Sequence, residues 1–236
     1  MSKLAILGGD PVRTDPFPAW PRPTSALGDS VLKTLQNENW GVGSDAITRF
    51  EEAFAAFQDA KYCISTSSGT TALWVALKAA GVKAGDEVII PAYTFIATAS
   101  AVLMANAVPI FVDIDEKTLN IDPELIEAAI TEKTKAIIIV HQFGHAAHMD
   151  EIMALAKKKG LKVIEDNAES IGARYKDKLL GTFGDISTYS FFGNKIITTG
   201  EGGAVLTNSG ETAIKCEELR DHGMNHKKKY HHIDLG

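Results

Sequence analysis

Four short apolar runs, VII at 88–90, PIFV at 109–112, AIIIV at 136–140 and KVI at 162–164, do not alternate with polar residues. A strand with one face in water alternates, whereas a strand covered on both faces reads as continuous apolar sequence. Between the runs lie stretches with helical spacing. The expected order is strand Tyr62 to Thr66 and a helix from about Thr70, then strand Glu87 to Ile90 and a helix around Ala97 to Ala105. Strand Val108 to Val112 and helix Pro123 to Ile130 follow, then strand Ala136 to Val140, helix Asp150 to Lys158 and strand Lys162 to Glu165. Right-handed crossovers turn such a series into an open, doubly wound, mostly parallel sheet sandwiched by helices. The fold class is therefore α/β.

Upstream, residues 1–23 hold five of the eight prolines, at 11, 16, 18, 21 and 23, and read as an extended arm. Leu27, Val31, Leu32 and Leu35 have helical spacing, and Ser44 or Asp45 can cap a helix from Ala46 to Phe57 with Phe50, Phe54 and Phe57 on one face. Downstream, Glu211 to Arg220 reads as a further helix. The 236 residues suffice for one large α/β domain or two small ones. A net charge of -6 and a pI near 5.6 argue against a nucleic-acid partner. The basic run Lys227 to Lys229 reads as a solvated loop. Cys63 and Cys216 form neither a disulfide framework nor a zinc set, which fits a reducing cytoplasm. No apolar run has the ~18 residues of a membrane span, and the start of the chain lacks the apolar core of a signal peptide.

Ligands of such sheets bind at the carboxyl ends of the strands. After the first strand comes Thr66-Ser67-Ser68-Gly69-Thr70-Thr71, opening a helix. Small hydroxyl residues and a glycine at a helix start present backbone N–H groups and the helix dipole to a phosphate; a plain helix cap is the simpler alternative. The second strand is followed by Tyr93 and Phe95, aromatic side chains beside that cradle. Glu165, Asp166 and Glu169 cluster at the end of the fifth strand. Ile186 to Phe192 reads as a strand ending in a Gly193-Asn194 turn, and Lys195 follows at once, on a short loop between two apolar strands. Apolar, partly desolvated surroundings favour the uncharged, nucleophilic amine.

Two rival sites are weaker. A nicotinamide site wants G-x-G-x-x-G after the first strand, and Ser68-Gly69-Thr70 holds one glycine. His141, His145 and His148 have spacing a zinc site could use if helical, but Gly144 lies among them. Phosphate cradle, stacking aromatic, strand-end carboxylate and loop lysine, in that order, describe a pyridoxal phosphate site.

The sequence also resembles the sugar aminotransferases of the DegT/DnrJ/StrS type, which share the type I fold of aspartate aminotransferase. The likeness runs from LAILGGDPVRTDPFPAWP through SSGTTAL, GDEVIIPAYTFIATA, FVDID and HQFGHAAHMDEI to VIEDNAESIGARYKDKLLGTFGDISTYSFFGNKIITTGEGG and LRDHGMN. It implies a transaminase acting on a keto sugar, with glutamate or glutamine as donor. It makes Lys195 the imine lysine and Asp166 the partner of the pyridine nitrogen, and puts Phe95 over the ring. Gly69, Thr70 and Ser190 would hold the phosphate, with Ser68 of the cradle beside them at the cofactor, and Glu169 would lie near the ring hydroxyl. A family branch with histidine at the lysine position performs dehydration; Lys195 argues against it. Glu169 and SFFGNKIITTGEGG look like the GDP-perosamine synthase branch, whereas GGDPVRT looks like enzymes that aminate cyclitols. The nucleotide-linked sugar and the keto-cyclitol both stay open, as does a non-catalytic regulatory protein of the same fold.

The resemblance further implies a homodimer and a second, smaller domain beyond His231-His232-Ile233-Asp234-Leu235-Gly236. Residues 1–23 are thus expected to be an arm and residues 24–236 the cofactor-binding large domain of a longer protein.

Overall fold

The computed structural model describes residues 3–37, 39–225 and 230–232. Two helices come first, α1 (Ser25–Gln36) and α2 (Asp45–Phe57). The chain then alternates through β1 (Tyr62–Thr66), α3 (Gly69–Ala79), β2 (Glu87–Pro91), α4 (Ala97–Met104), β3 (Val108–Val112) and α5 (Pro123–Ala129). It continues with β4 (Thr134–Val140), α6 (Met149–Lys159), β5 (Lys162–Asp166), a small hairpin of β6 (Arg174–Tyr175) and β7 (Lys178–Leu179), β8 (Ile186–Ser190), β9 (Gly203–Thr207) and α7 (Gly210–Arg220). The basic run at 227–229 and the last four residues, 233–236, lie outside the described residues. Among the described residues, no helix is long and apolar enough to cross a membrane.

Seven strands form one sheet in the order β1-β9-β8-β5-β4-β2-β3. Neighbours pair parallel except at β9, which runs antiparallel to both β1 and β8. The first strand therefore lies at an edge. In the dinucleotide-binding fold it lies at the centre, beside the topological switch, so the topology as well as the missing glycines sets that rival aside.

Because side chains alternate across a pleated strand, the runs of β2, β4 and β5 each feed two cores, whereas β3, at the sheet edge, feeds one, and its Phe111, expected to be covered, is exposed. Ile64, Val88, Ile90, Ile138, Ile164 and Val205 pack with Leu73 and Leu77 of α3, Val102 of α4 and Leu219 of α7. Ile89, Ile137, Ile139 and Val163 pack on the other face with Ile126 of α5 and Met149 and Ile152 of α6. Burial of each such isoleucine contributes about 1.5–3 kcal/mol. A third cluster joins α2 to β8 and β9: the Phe54 ring meets Tyr189 at 5.0 Å and Phe191 at 5.2 Å, both edge to face. Phe57, expected on that same face, is instead exposed. The apolar residues of α1 are uncovered as well, and no residue of that helix is buried.

Two boundaries differ from the sequence reading. The strand expected to reach Phe192 stops at Ser190, opposite Gly203, and the second strand begins only there. The loop between them runs from 191 to 202, and Ile196 and Ile197 lie in it, exposed, rather than in a strand. Polar ties hold it: Thr199 N and Thr198 Oγ1 both donate to the Phe191 carbonyl. The β6–β7 hairpin was not anticipated. Its central residues, Lys176 and Asp177, both have positive φ, 47° and 63°, as a two-residue hairpin turn of the primed type requires.

On β5 the pleat sends two adjacent carboxylates to opposite faces. Glu165 goes to the α5–α6 side, fully buried. It accepts from the amides of Gly181 (2.7 Å), Phe183 (2.8 Å) and Gly184 (2.6 Å) and pairs with His141 Nε2 (3.1 Å). Ala147 N donates to His141 Nδ1 at 3.3 Å, so Nε2 carries the proton shared with Glu165. Burial alone would push the Glu165 carboxyl up; the His141 contact and the amides of Gly184 and Gly181 outweigh it and hold the group below its ordinary 4.5. A carboxylate with a depressed value stabilises the fold above the ordinary value and loses that contribution as pH falls through the folded one. Replacing it with an amide also turns one acceptor into a donor that faces N–H groups. Glu165→Gln is expected to cost about 2–4 kcal/mol of stability at neutral pH and to flatten the acid limb of the stability curve. Urea denaturation across pH checks both.

Candidate active site

The C-terminal ends of β5 and β8 face the start of α3 across a cavity of about 560 Å³. All eight residues singled out from the sequence, Ser68, Gly69, Thr70, Phe95, Asp166, Glu169, Ser190 and Lys195, line it. They come from five separate places in the chain, which the sheet order brings together. The side chains of β5 and β8 alternate in register, with Asp166 paired to Thr188. Asp166, Thr188 and Ser190 therefore share the α3 face, while Glu165 and Tyr189 face away. Thr188 was not singled out from the sequence; its place two residues before Ser190 on one strand is the signal that finds it.

At the start of α3 the capping box is complete. Ser68 Oγ accepts from Thr71 N at 3.1 Å, and Ser68 N donates to Thr71 Oγ1 at 3.0 Å. The Ser68 hydroxyl thereby accepts in the cap, and the backbone donors left over are the amides of Gly69 and Thr70, in the first turn, where a helix offers its N–H groups no partner. Gly69 is required by contact: a Cβ there would lie 2.7 Å from Ser190 Cβ. The helix thus starts directly against the end of β8.

Asp166 is buried, and among the described residues its carboxylate receives one hydrogen bond, from Ala168 N to Oδ1 at 3.0 Å. Burial pushes its carboxyl above the ordinary 3.8; the Ala168 amide and the charge of Lys195 only partly oppose this. Lys195 follows a turn closed by its own N–H to the Phe192 carbonyl at 2.9 Å. Its side chain is 20% exposed, with Nζ 3.7 Å from Glu169 Oε1. Glu169 Oε2 accepts from Phe143 N at 2.8 Å. The Phe95 ring is 73% exposed. Tyr93 and Phe143, also on the wall, pair at 6.4 Å between ring centroids with a 56° tilt.

The histidines of the H-x3-H-x2-H run do not converge. Both ring nitrogens of His141 are engaged within the fold, and among the described residues no group of three or more His, Cys, Asp or Glu side chains is placed to hold a metal ion. Neither cysteine is poised to react: Cys63 and Cys216 are buried and free, and burial raises both thiols, that of Cys216 to about 12.

The raised Asp166 carboxyl has a consequence for the ligand-free protein. A group whose folded value lies above its unfolded one favours the fold below the unfolded value and loses that contribution as pH rises through the folded one. Asp166 therefore weakens the empty protein at neutral pH. Asp166→Asn is expected to raise the neutral-pH melting temperature of the ligand-free protein by a few degrees and to have no such effect near pH 4. Scanning calorimetry at the two pH values checks this.

The geometry can be set beside known proteins. Residues 24–236 match the model of the DegT/DnrJ/EryC1/StrS aminotransferase family. The chain is 42% identical over 226 residues to L-glutamine:2-deoxy-scyllo-inosose aminotransferase of Streptomyces lividus, covering 93% of this chain and 53% of that protein. It is 48% identical over 184 residues to GDP-perosamine synthase of Caulobacter vibrioides, covering 78% of this chain and 50% of that protein. Its fold superposes on NtdA from Bacillus subtilis, solved with the bound cofactor PMP, with a TM-score of 0.83 at 38% identity, over 88% of this chain and 47% of that one. The chain spans about half the length of the curated relatives it matches. On these grounds it belongs to the DegT/DnrJ/EryC1/StrS aminotransferase family.

Proposed function

We propose that the protein carrying this chain is a pyridoxal phosphate-dependent aminotransferase that moves an amino group from glutamate or glutamine to the ketone of a sugar or cyclitol. The observation that carries the reading is Asp166: a buried carboxylate with a raised value, one hydrogen bond and a lysine on the same cavity wall. Such a group is costly to keep unless a cation or an N–H donor comes to meet it. A protonated ring nitrogen is such a donor. The amides of Gly69 and Thr70, at a helix start in the same cavity, fit an anionic phosphate. The residues present therefore suit both ends of the cofactor, and the relative solved with PMP supports the same choice.

When bound, pyridoxal phosphate supplies a carbonyl that condenses with amines and a ring that takes up the electron pair released beside the nitrogen. In this reading the chain does the rest. Gly69, Thr70 and Ser190 anchor the phosphate, and Phe95 bears on the ring face. Asp166 holds a proton on the ring nitrogen. Lys195 Nζ would hold the cofactor's carbonyl carbon and, as a free amine, would serve as the base at the donor's α-carbon and as the acid at the acceptor's former carbonyl carbon. Glu169, 3.7 Å from that Nζ, keeps the amine near the reacting carbon.

The same reading takes the protein to be a cytoplasmic homodimer whose second, smaller domain closes over the cofactor face and excludes water. Support for pairing comes from the uncovered apolar residues of α1 and of residues 3–23. Sedimentation of the full-length protein at micromolar concentration is expected to give a dimer; a monomer alone counts against this part.

Lys195→Ala tests the core of the reading. Turnover with glutamate and a keto sugar is expected to fall by at least ~10³-fold. Borohydride treatment should add the cofactor's mass to the wild-type chain at Lys195 and to no site in the variant. A variant that transaminates near the wild-type rate overturns the assignment.

A further inference from the structure

Phe143 is the one non-glycine residue of the cavity wall with a positive φ, 54° with ψ 24°, among the described residues. That left-handed conformation is unfavourable for a bulky side chain. Its N–H is fastened to Glu169 Oε2 at 2.8 Å, and the opposite oxygen of the same carboxylate lies 3.7 Å from Lys195 Nζ. Gly144 follows at φ 79°, and Gly144 N and His145 N close turns onto the carbonyls of His141 and Gln142. The backbone is thus held in place from several sides. The residue is nevertheless 65% exposed, and its ring pairs with the tilted ring of Tyr93, itself half exposed. The strain is offset by these hydrogen bonds and not by burial of the side chain.

We infer that Phe143, with Tyr93, contacts the acceptor: the two rings bear on the C–H face of the polyhydroxylated ring, sugar or cyclitol, whose ketone reaches Lys195. The inference rests on the aminotransferase reading and names the residues that would discriminate acceptor from donor. Ring C–H groups carry slight positive charge and complement the negative face of an aromatic ring. The hydroxyls at the ring edge then point to the polar wall formed by Gln142, Asn194 and Glu201. A glutamate donor offers carboxylates, which an aromatic face does not attract. Glu169 links the two parts of the site, since it holds the Phe143 turn and faces the lysine.

The informative variant is Phe143→Gly, because glycine adopts the left-handed conformation without strain. In the full-length protein the melting temperature is expected to stay level or rise by about 2 °C. The acceptor KM should rise about 10-fold, while the donor half-reaction, followed by the cofactor's visible spectrum with glutamate, stays within about twofold of wild type. Phe143→Tyr should restore the acceptor KM. A readout independent of turnover uses scyllo-inositol, whose C–H bonds are all axial and which has no ketone. Saturation of aromatic protein protons should transfer to its C–H protons in the wild type and fall several-fold in Phe143→Gly. If wild type shows neither the cofactor spectrum nor a donor half-reaction, the aminotransferase reading fails and takes this inference with it. If both are present but the acceptor KM and the transfer are unchanged in Phe143→Gly, this inference alone is overturned. A melting temperature several degrees lower also overturns it, because the ring is then packed against another part of the protein or a second copy.

Discussion

The alternation of side chains along β5 sets the character of the whole site. Glu165 and Asp166 are neighbours in sequence, both buried, and shifted in opposite directions. Glu165 meets three amides and a histidine on one face of the sheet, so its charge is satisfied by the fold. Asp166 meets one amide on the other face among the described residues, with the charge of Lys195 nearby, and its carboxyl stays raised by burial. One carboxylate ties the 181–184 segment and His141 to the strand; the other faces a cavity. A register slip of one residue would exchange the two and destroy both arrangements.

The remaining parts of the site depend on that strand through its neighbours. Parallel pairing with β8 puts Thr188 and Ser190 on the same face as Asp166. Contact between Ser190 and Gly69 then brings the first turn of α3 to the cavity, and any side chain at Gly69 would push the helix away. The antiparallel strand β9 returns the chain beside β8, so the 191–202 loop must cross the strand ends, and Lys195 comes with it. Nothing in this construction calls for a residue of unusual chemistry. What is unusual is where the fold accepts cost: a buried carboxylate with one hydrogen bond, an aromatic backbone in a left-handed turn, and an exposed ring at Phe95. All three lie on the wall of one cavity.

Much of this was open to reading from residue order. The continuous apolar runs at 88–90, 136–140 and 162–164 imply strands covered on both faces, because the hydrophobic effect leaves a half-exposed strand no reason to be apolar throughout; the run at 109–112 read the same way, but β3 lies at the sheet edge with Phe111 exposed. The strand–helix alternation, the helix cap at Ser68 and the turn before Lys195 follow from local chemistry and agree with the structure. Those signals are local, so they survive without knowledge of the fold. The end of the strand at Ser190 did not follow, since Phe191 and Phe192 suit a strand and only the position of Gly203 on the neighbour stops the pairing.

The sequence by itself determined the fold class and the positions of most elements, because periodicity, capping and turn propensity act over a few residues; it also named eight of the residues that line the cavity, Ser190 among them through the family resemblance. Tertiary structure alone decided which of the three carboxylates at 165, 166 and 169 faces which group, because that depends on the pleat and on amides contributed from residues 181–184. It also decided that both ring nitrogens of His141 are tied, one to Glu165 and one to the Ala147 amide. The left-handed turn at Phe143 and its link through Glu169 to Lys195 belong to the same class. The contacts of His141 with Glu165 and of Glu169 with Phe143 and Lys195 each join residues more than twenty positions apart, and no local preference encodes such a contact; only the packing of the sheet brings the partners together.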